Sequence, residues 1–70
     1  MSQEVRDRIA QNLQKLRNSR HLKKEELSLI LGFDNSYISK LEKGKINITI
    51  DKLEKIANFF EVEIIDLFIK

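Results

Sequence analysis

Seventy residues without a cysteine limit the chain to one domain that no disulfide or thiolate-held zinc can staple. A core of this size buries only about 60% of the surface its unfolded chain exposes, which leaves self-association as the common remaining source of stability. The formal charge is +2, no apolar run reaches the roughly 18 residues of a membrane helix, and the opening MSQEVRDR is no signal peptide, so a cytoplasmic protein without a membrane partner is expected.

The charge is unevenly spread. Residues 1–47 carry ten Lys/Arg against six Asp/Glu, a balance of +4, and residues 48–70 carry three against five, a balance of −2. A module that docks one side on a polyanion has this asymmetry.

Residues 3–19 read as a first helix. Val5, Ile9, Leu13 and Leu16 recur at spacings of four, four and three and draw one apolar stripe along a polar rod. Ser2 is placed to cap its start, with Glu4 and Asp7 near the positive end of its dipole. The absence of Trp and the mixed signs of its polar face favour a core-facing helix over one lying on a membrane. Asn18 to Lys23 form the connection. His21, the lone histidine, reads as solvated, since no cysteine or second histidine is there to share a metal. Residues 24–31 read as a second helix that buries Leu27, Ile30 and Leu31, carries Glu25 and Glu26 in its first turn, and ends at a left-handed Gly32. Two helices joined by a glycine-containing turn of roughly three to four residues form the helix-turn-helix pattern.

Gly32 to Gly44, GFDNSYISKLEKG, reads as a short helix between two glycines, with Asp34 at the N-cap. Ile38 and Leu41 point inward, while Asn35, Ser36, Tyr37, Ser39, Lys40 and Lys43 are left to face outward. Amide, hydroxyl, phenol and ammonium groups suit base edges and phosphates, so this stretch reads as a DNA recognition helix. Asn35 can pair bidentately with adenine, and Lys40 can donate to guanine O6 or N7. Tyr37 can donate its hydroxyl or lay its ring against a thymine methyl, and Ser36 and Ser39 complete the base-reading set. The plainer alternatives are packing of Tyr37 against the second helix and mere solvation of Lys40 and Lys43.

After Gly44, KINITI alternates through Ile46, Ile48 and Ile50, which periodicity alone would allow as a strand. Thr49 as N-cap, Asp51 in the first turn and the helical spacing of Ile50, Leu53, Ile56, Ala57 and Phe60 instead place a fourth helix over 50–60. The ending EVEIIDLFIK tolerates a strand, but a short fifth helix over about 64–69, burying Ile64, Leu67 and Phe68, is preferred. Phe59, Ile65 and Ile69 are surplus to these stripes. With Ile64 and Phe68 they form a candidate dimer interface within a dimerisation region of about 50–70, extra core filling being the alternative. The fold expected is all-α: five helices in a single domain over 1–70, with the helix-turn-helix at about 24–43.

Ile9-Ala10 followed by Leu13, Leu16 and Arg17, then Leu22, Glu25-Glu26-Leu27, Gly32, Tyr37-Ile38-Ser39, Leu41-Glu42 and Gly44, resemble the phage Cro and repressor type of helix-turn-helix domain, the XRE family. The likeness covers nearly the whole chain and implies a lambda-repressor-like fold. Within the family, the short length and the string Tyr37-Ile38-Ser39 … Leu41-Glu42-Lys43-Gly44 look most like controller proteins of restriction–modification systems. The resemblance implies that Asn35, Ser36, Tyr37 and Lys40, with Ser39 close by, meet the major groove. It implies that Lys24, Lys43 and Lys45 touch the sugar-phosphate backbone, that Arg17 and Glu42 form a partly buried ion pair, and that dimers meet through the C-terminal helices. The chain departs from the family pattern at five positions: Lys23 and Lys24 stand where a Ser/Thr cap and a Gln are usual, the glycine near His21 is missing, and so are the proline near Ile48 and the glycine near Glu61.

The expected function is a sequence-specific transcriptional regulator that binds a palindromic operator as a homodimer, its two recognition helices about 34 Å apart. The expected setting is the nucleoid of a prokaryote or a phage-infected cell. Glu25 and Glu26 are candidate contacts to RNA polymerase. The competing reading is a helix-turn-helix adaptor or antitoxin-like protein that binds another protein. An enzyme is not expected, for the chain has no histidine–carboxylate or Cys/His set and no Gly-rich phosphate loop, and neither a cofactor nor a metal is expected.

Overall fold

The first helix, α1, spans Gln3–Ser19 and starts where Ser2 Oγ accepts the Val5 N–H at 3.2 Å. In this computed structural model, which describes residues 1–69, it is followed by α2 (Lys24–Leu31), α3 (Tyr37–Glu42), α4 (Ile50–Phe60) and a 3-10 turn at Ile64–Leu67. Lys70, the last residue of the expected dimerisation region, lies outside the described residues. The architecture is all-α, with no strand among the described residues.

The four α-helices end in the same way. In each, an amide N–H reaches back five residues to a carbonyl: Leu22 to Arg17, Phe33 to Ser28, Lys45 to Lys40 and Val62 to Ala57, at 2.8–3.3 Å. This bond is the signature of the Schellman motif, and it requires a left-handed residue just before the donor. Gly32 and Gly44 fill that position for α2 and α3, with φ of 73° and 71°. His21 and Glu61 fill it for α1 and α4, with φ of 56° and 58°. These are the two sites where the resemblance leads one to expect glycine, and the left-handed turn forms at both without it.

At α2, Glu26 Oε1 accepts the Lys23 N–H at 2.8 Å, the back half of a capping box. An ammonium has no acceptor, so Lys23 cannot supply the forward half. Thr49 caps α4 by accepting the Lys52 N–H at 3.2 Å, and this cap turns the alternating KINITI segment into an irregular approach to a helix.

Ile9, Leu13, Leu27, Ile38, Leu41, Leu53, Ile56 and Leu67 are fully buried and draw on every element. Helix α3 packs on both α1 and α2, and the C-terminal turn rests against α1 and α4. Asn12 fastens that turn by donating from Nδ2 to the Leu67 carbonyl at 2.9 Å and to the Ile69 carbonyl.

Three expectations are corrected. Ile30 is 52% exposed, because the inward positions of α2 go to Leu27, Ser28 and Leu31. Ile50, counted in the α4 stripe, is exposed in the first turn of that helix. The fifth α-helix over 64–69 is instead a four-residue 3-10 turn, held by Asp66 N–H to Glu63 O and Phe68 N–H to Ile65 O, both 3.0 Å. The bonds span three residues and not four, so the segment closes into the tighter 3-10 form that is common in short end pieces. Leu67 is buried as expected, whereas Ile64 and Phe68 are half-buried.

Candidate nucleic-acid interface

The entry to α3 is built from two directions. Asn35 and Ser36 lie in a turn before the helix, whose N-cap is Ser36 and not Asp34 as expected. Asp34 shapes that turn: its Oδ2 accepts the Ser36 hydroxyl at 2.8 Å and the Ser36 N–H at 3.3 Å, while its carbonyl accepts the Tyr37 N–H at 2.9 Å. The Ser36 hydroxyl bond, and after it the backbone bond, hold the Asp34 carboxyl below the usual carboxylate range. Ser36 has αR backbone angles and makes no side-chain cap. The vacant duty falls to Ser28 of α2, fully buried, whose Oγ accepts the Ile38 N–H at 3.2 Å. Sequence reasoning passed over Ser28, since a serine inside a helix carries no signal until the neighbouring helix is in place.

The far end of α3 is tied to α1. Arg17 donates from Nε to Glu42 Oε2 at 2.6 Å and from Nη2 to Glu42 Oε1 at 3.0 Å, and its Nη1 donates to the Leu22 carbonyl at 2.7 Å. Side-chain exposures of 10% for Arg17 and 4% for Glu42 place this two-pronged pair out of bulk water. The hydrogen bond that Arg17 donates to Glu42 pushes the guanidinium pKa further up, against the opposing effect of burial.

A second tie holds the loop after α3 against the start of α1. Gln3 Nε2 donates to the Gly44 carbonyl at 2.9 Å, and Arg6 Nη1 donates to Asn47 Oδ1 at 2.7 Å. At Gly44 a Cβ would stand 2.5 Å from Asp7 Oδ1 and 3.0 Å from Gln3 Nε2. Glycine suits this position chiefly by its φ, since the atoms a Cβ would meet are the ends of side chains that can turn aside. These contacts set the position of the loop that carries Lys43 and Lys45.

Asn35 and Lys40 are exposed, and Ser36, Tyr37 and Ser39 are half-buried, all within six consecutive residues. The Ser36 hydroxyl is already engaged by Asp34. Tyr37 lies edge-on to Phe33 with ring centroids 4.9 Å apart, and burial raises its phenol pKa. Lys24, Lys43 and Lys45 are exposed, at the first turn of α2, the cap of α3 and the following loop. Ile65 and Ile69 are exposed, while Ile64, Phe68 and Phe59 are half-buried against the core. The Arg20 guanidinium lies 5.1 Å from the Phe59 ring centroid. Lys52 and Lys55 of α4, which no motif singled out, bring their ammonium groups over the aromatic pair beside α3.

Comparison with known proteins agrees with this architecture. The helix-turn-helix family HTH_3 matches residues 13–67. The uncharacterized HTH-type transcriptional regulator y4dJ of Sinorhizobium fredii (strain NBRC 101917 / NGR234) is 31% identical over 64 residues, 91% of this chain and 83% of that protein. The crystal structure of the hypothetical transcription factor NHTF from Neisseria superposes with a TM-score of 0.88 at 27% identity, covering 99% of this chain and 80% of that one. The restriction-modification controller protein C.AhdI from Aeromonas hydrophila superposes with a TM-score of 0.81 at 30% identity, covering 90% and 96%. The chain belongs to the HTH_3 helix-turn-helix family of transcriptional regulators.

Proposed function

We propose that the protein is a sequence-specific DNA-binding regulator that docks α3 and the turn before it in the major groove of a palindromic operator, as a homodimer. The observation that carries this reading is the short polar segment Asn35–Lys40, braced on one side by Ser28 and on the other by the Arg17–Glu42 pair, and flanked by exposed lysines. A helix so held keeps its register when side chains meet base edges, and those contacts carry sequence information where phosphate contacts do not.

In this reading Asn35, Tyr37, Ser39 and Lys40 read bases, with Ser36 contributing through whatever its bond to Asp34 leaves free. Lys24, Lys43 and Lys45 contact phosphates. The dimer forms through the C-terminal region, where Ile65 and Ile69 are exposed and Phe59, Ile64 and Phe68 lie beside them in sequence. Similarity in size and fold to C.AhdI supports a controller protein of a restriction–modification system. The nucleoid of a prokaryotic cell is the corresponding location, and no described helix is long and apolar enough to cross a membrane.

A protein partner on α2 is a second reading, favoured by Leu29, 81% exposed, beside Glu25 and Glu26. RNA polymerase is one such partner, and an adaptor function is another.

Selection of bound duplexes from a random pool tests the main reading. A palindromic consensus is expected, with affinity that falls steeply as salt rises. A Lys40→Ala, Tyr37→Ala double mutant should lose the consensus preference, and each of Lys24, Lys43 and Lys45 replaced by Ala should lower the salt slope by about one. Recovery of no sequence preference at moderate ionic strength would rule the reading out.

A further inference from the structure

Lys52 occupies the first turn of α4, where the positive end of the helix dipole disfavours a cation. It forms no ion pair among the described residues. Its ammonium instead lies 4.4 Å from the Tyr37 ring centroid and 5.7 Å from that of Phe33, and Lys55 Nζ approaches Phe33 from 5.9 Å. Phe33 and Tyr37 meet edge to face. The tyrosine ring thus has an aromatic neighbour and a cation against it, and its hydroxyl has no hydrogen-bond partner among the described residues.

We infer that Lys52 is a positioning residue: with Phe33 it clamps the Tyr37 ring in one orientation and so sets the sequence preference of the α3 surface. The inference rests on the DNA-binding reading proposed above. An ammonium over a ring face attracts the ring's negative quadrupole and loses most of that attraction when the ring turns. A ring held from α4 and from the α2–α3 turn presents its hydroxyl and edge in a fixed place at less cost in rotamer freedom on binding. A lysine that only neutralised a phosphate would act differently. It would raise affinity for every duplex alike and change the salt slope without changing the preference.

Tyr37 is the sole tyrosine and the chain has no Trp, so intrinsic fluorescence reports this ring alone. The experiment compares the unsubstituted protein with Lys52→Met, which keeps an apolar stem, and Lys52→Arg, which keeps the cation. Fluorescence anisotropy decay without DNA, the ratio of affinities for selected and scrambled duplexes, and the salt slope are read for each. Lys52→Met should show a freer ring and a ratio lowered about two- to five-fold with the slope unchanged, and Lys52→Arg should restore both ring order and ratio. In a Tyr37→Ala background, Lys52→Met should change the ratio no further. A slope lowered by about one with the ratio intact would make Lys52 a phosphate contact and overturn the inference, as would an unchanged ring mobility in Lys52→Met. If the unsubstituted protein bound no duplex, the functional reading would fall, and the anisotropy data would still decide whether Lys52 holds the ring.

Discussion

Two buried polar contacts, Ser28 to Ile38 and Arg17 to Glu42, fix where α3 sits, and both act across helix boundaries. Ser28 gives its hydroxyl oxygen to the Ile38 N–H, a donor that the local turn leaves open. Ser28→Ala strands that N–H inside the core and is expected to lower stability by about 1–3 kcal/mol in urea denaturation. Far less change would show that water reaches Ile38. Arg17 and Glu42 share two hydrogen bonds with little solvent access. Glu42→Gln or Arg17→Met alone leaves one charge without its partner and should cost about 3–5 kcal/mol. The double replacement by Met and Leu removes both charges and should recover much of that loss, which distinguishes a buried pair from an exposed one worth about 0–1 kcal/mol.

At the scale of the elements, the shared ending of the four helices has an energetic consequence. His21 and Glu61 sit in the left-handed region where an L side chain is disfavoured by roughly 1–2 kcal/mol, while Gly32 and Gly44 meet the same demand freely. Glu61→Gly is therefore expected to raise stability by about 0.5–1 kcal/mol, read as a higher urea midpoint at unchanged slope. The exposed contact of Glu61 with Arg20, 3.8 Å long, offers little to set against this gain. Arg20 keeps its main role in either case, donating from Nη1 to the Phe59 carbonyl at 3.1 Å and so capping the end of α4 from the end of α1.

The molecule as a whole measures 27 × 22 × 21 Å, a size at which a single core is thin. On the proposed dimer, stability rises with concentration by mass action. Ile65 is 65% exposed and Ile69 is exposed beside it. Ile65→Glu with Ile69→Glu should leave helical circular dichroism intact, shift the sedimenting species from dimer to monomer at micromolar concentration, and remove the concentration dependence of the melting temperature. A dimer that persisted in this variant would move the interface elsewhere on the surface.

Much of this organisation could be read along the chain. The stripe Val5–Ile9–Leu13–Leu16, the caps at Ser2 and Thr49 and the left-handed Gly32 depend on residues within one turn of each other, and neighbours in the chain decide them. Features that join distant segments were less legible. Asp34 looked like the cap of α3 because nothing local shows that Ser28 of another helix will do that work. Ile30 looked buried because a helix of two turns leaves its inward side undefined until its neighbours pack. Lys52 carries no signal along the chain, since its aromatic partners lie at positions 33 and 37. Periodicity and turn chemistry were thus enough for the four α-helices and for the polar segment Asn35–Lys40 that the two glycines enclose. The orientation of that segment came from hydrogen bonds, an ion pair and ring contacts between residues far apart in the chain, which exist only once the core has formed.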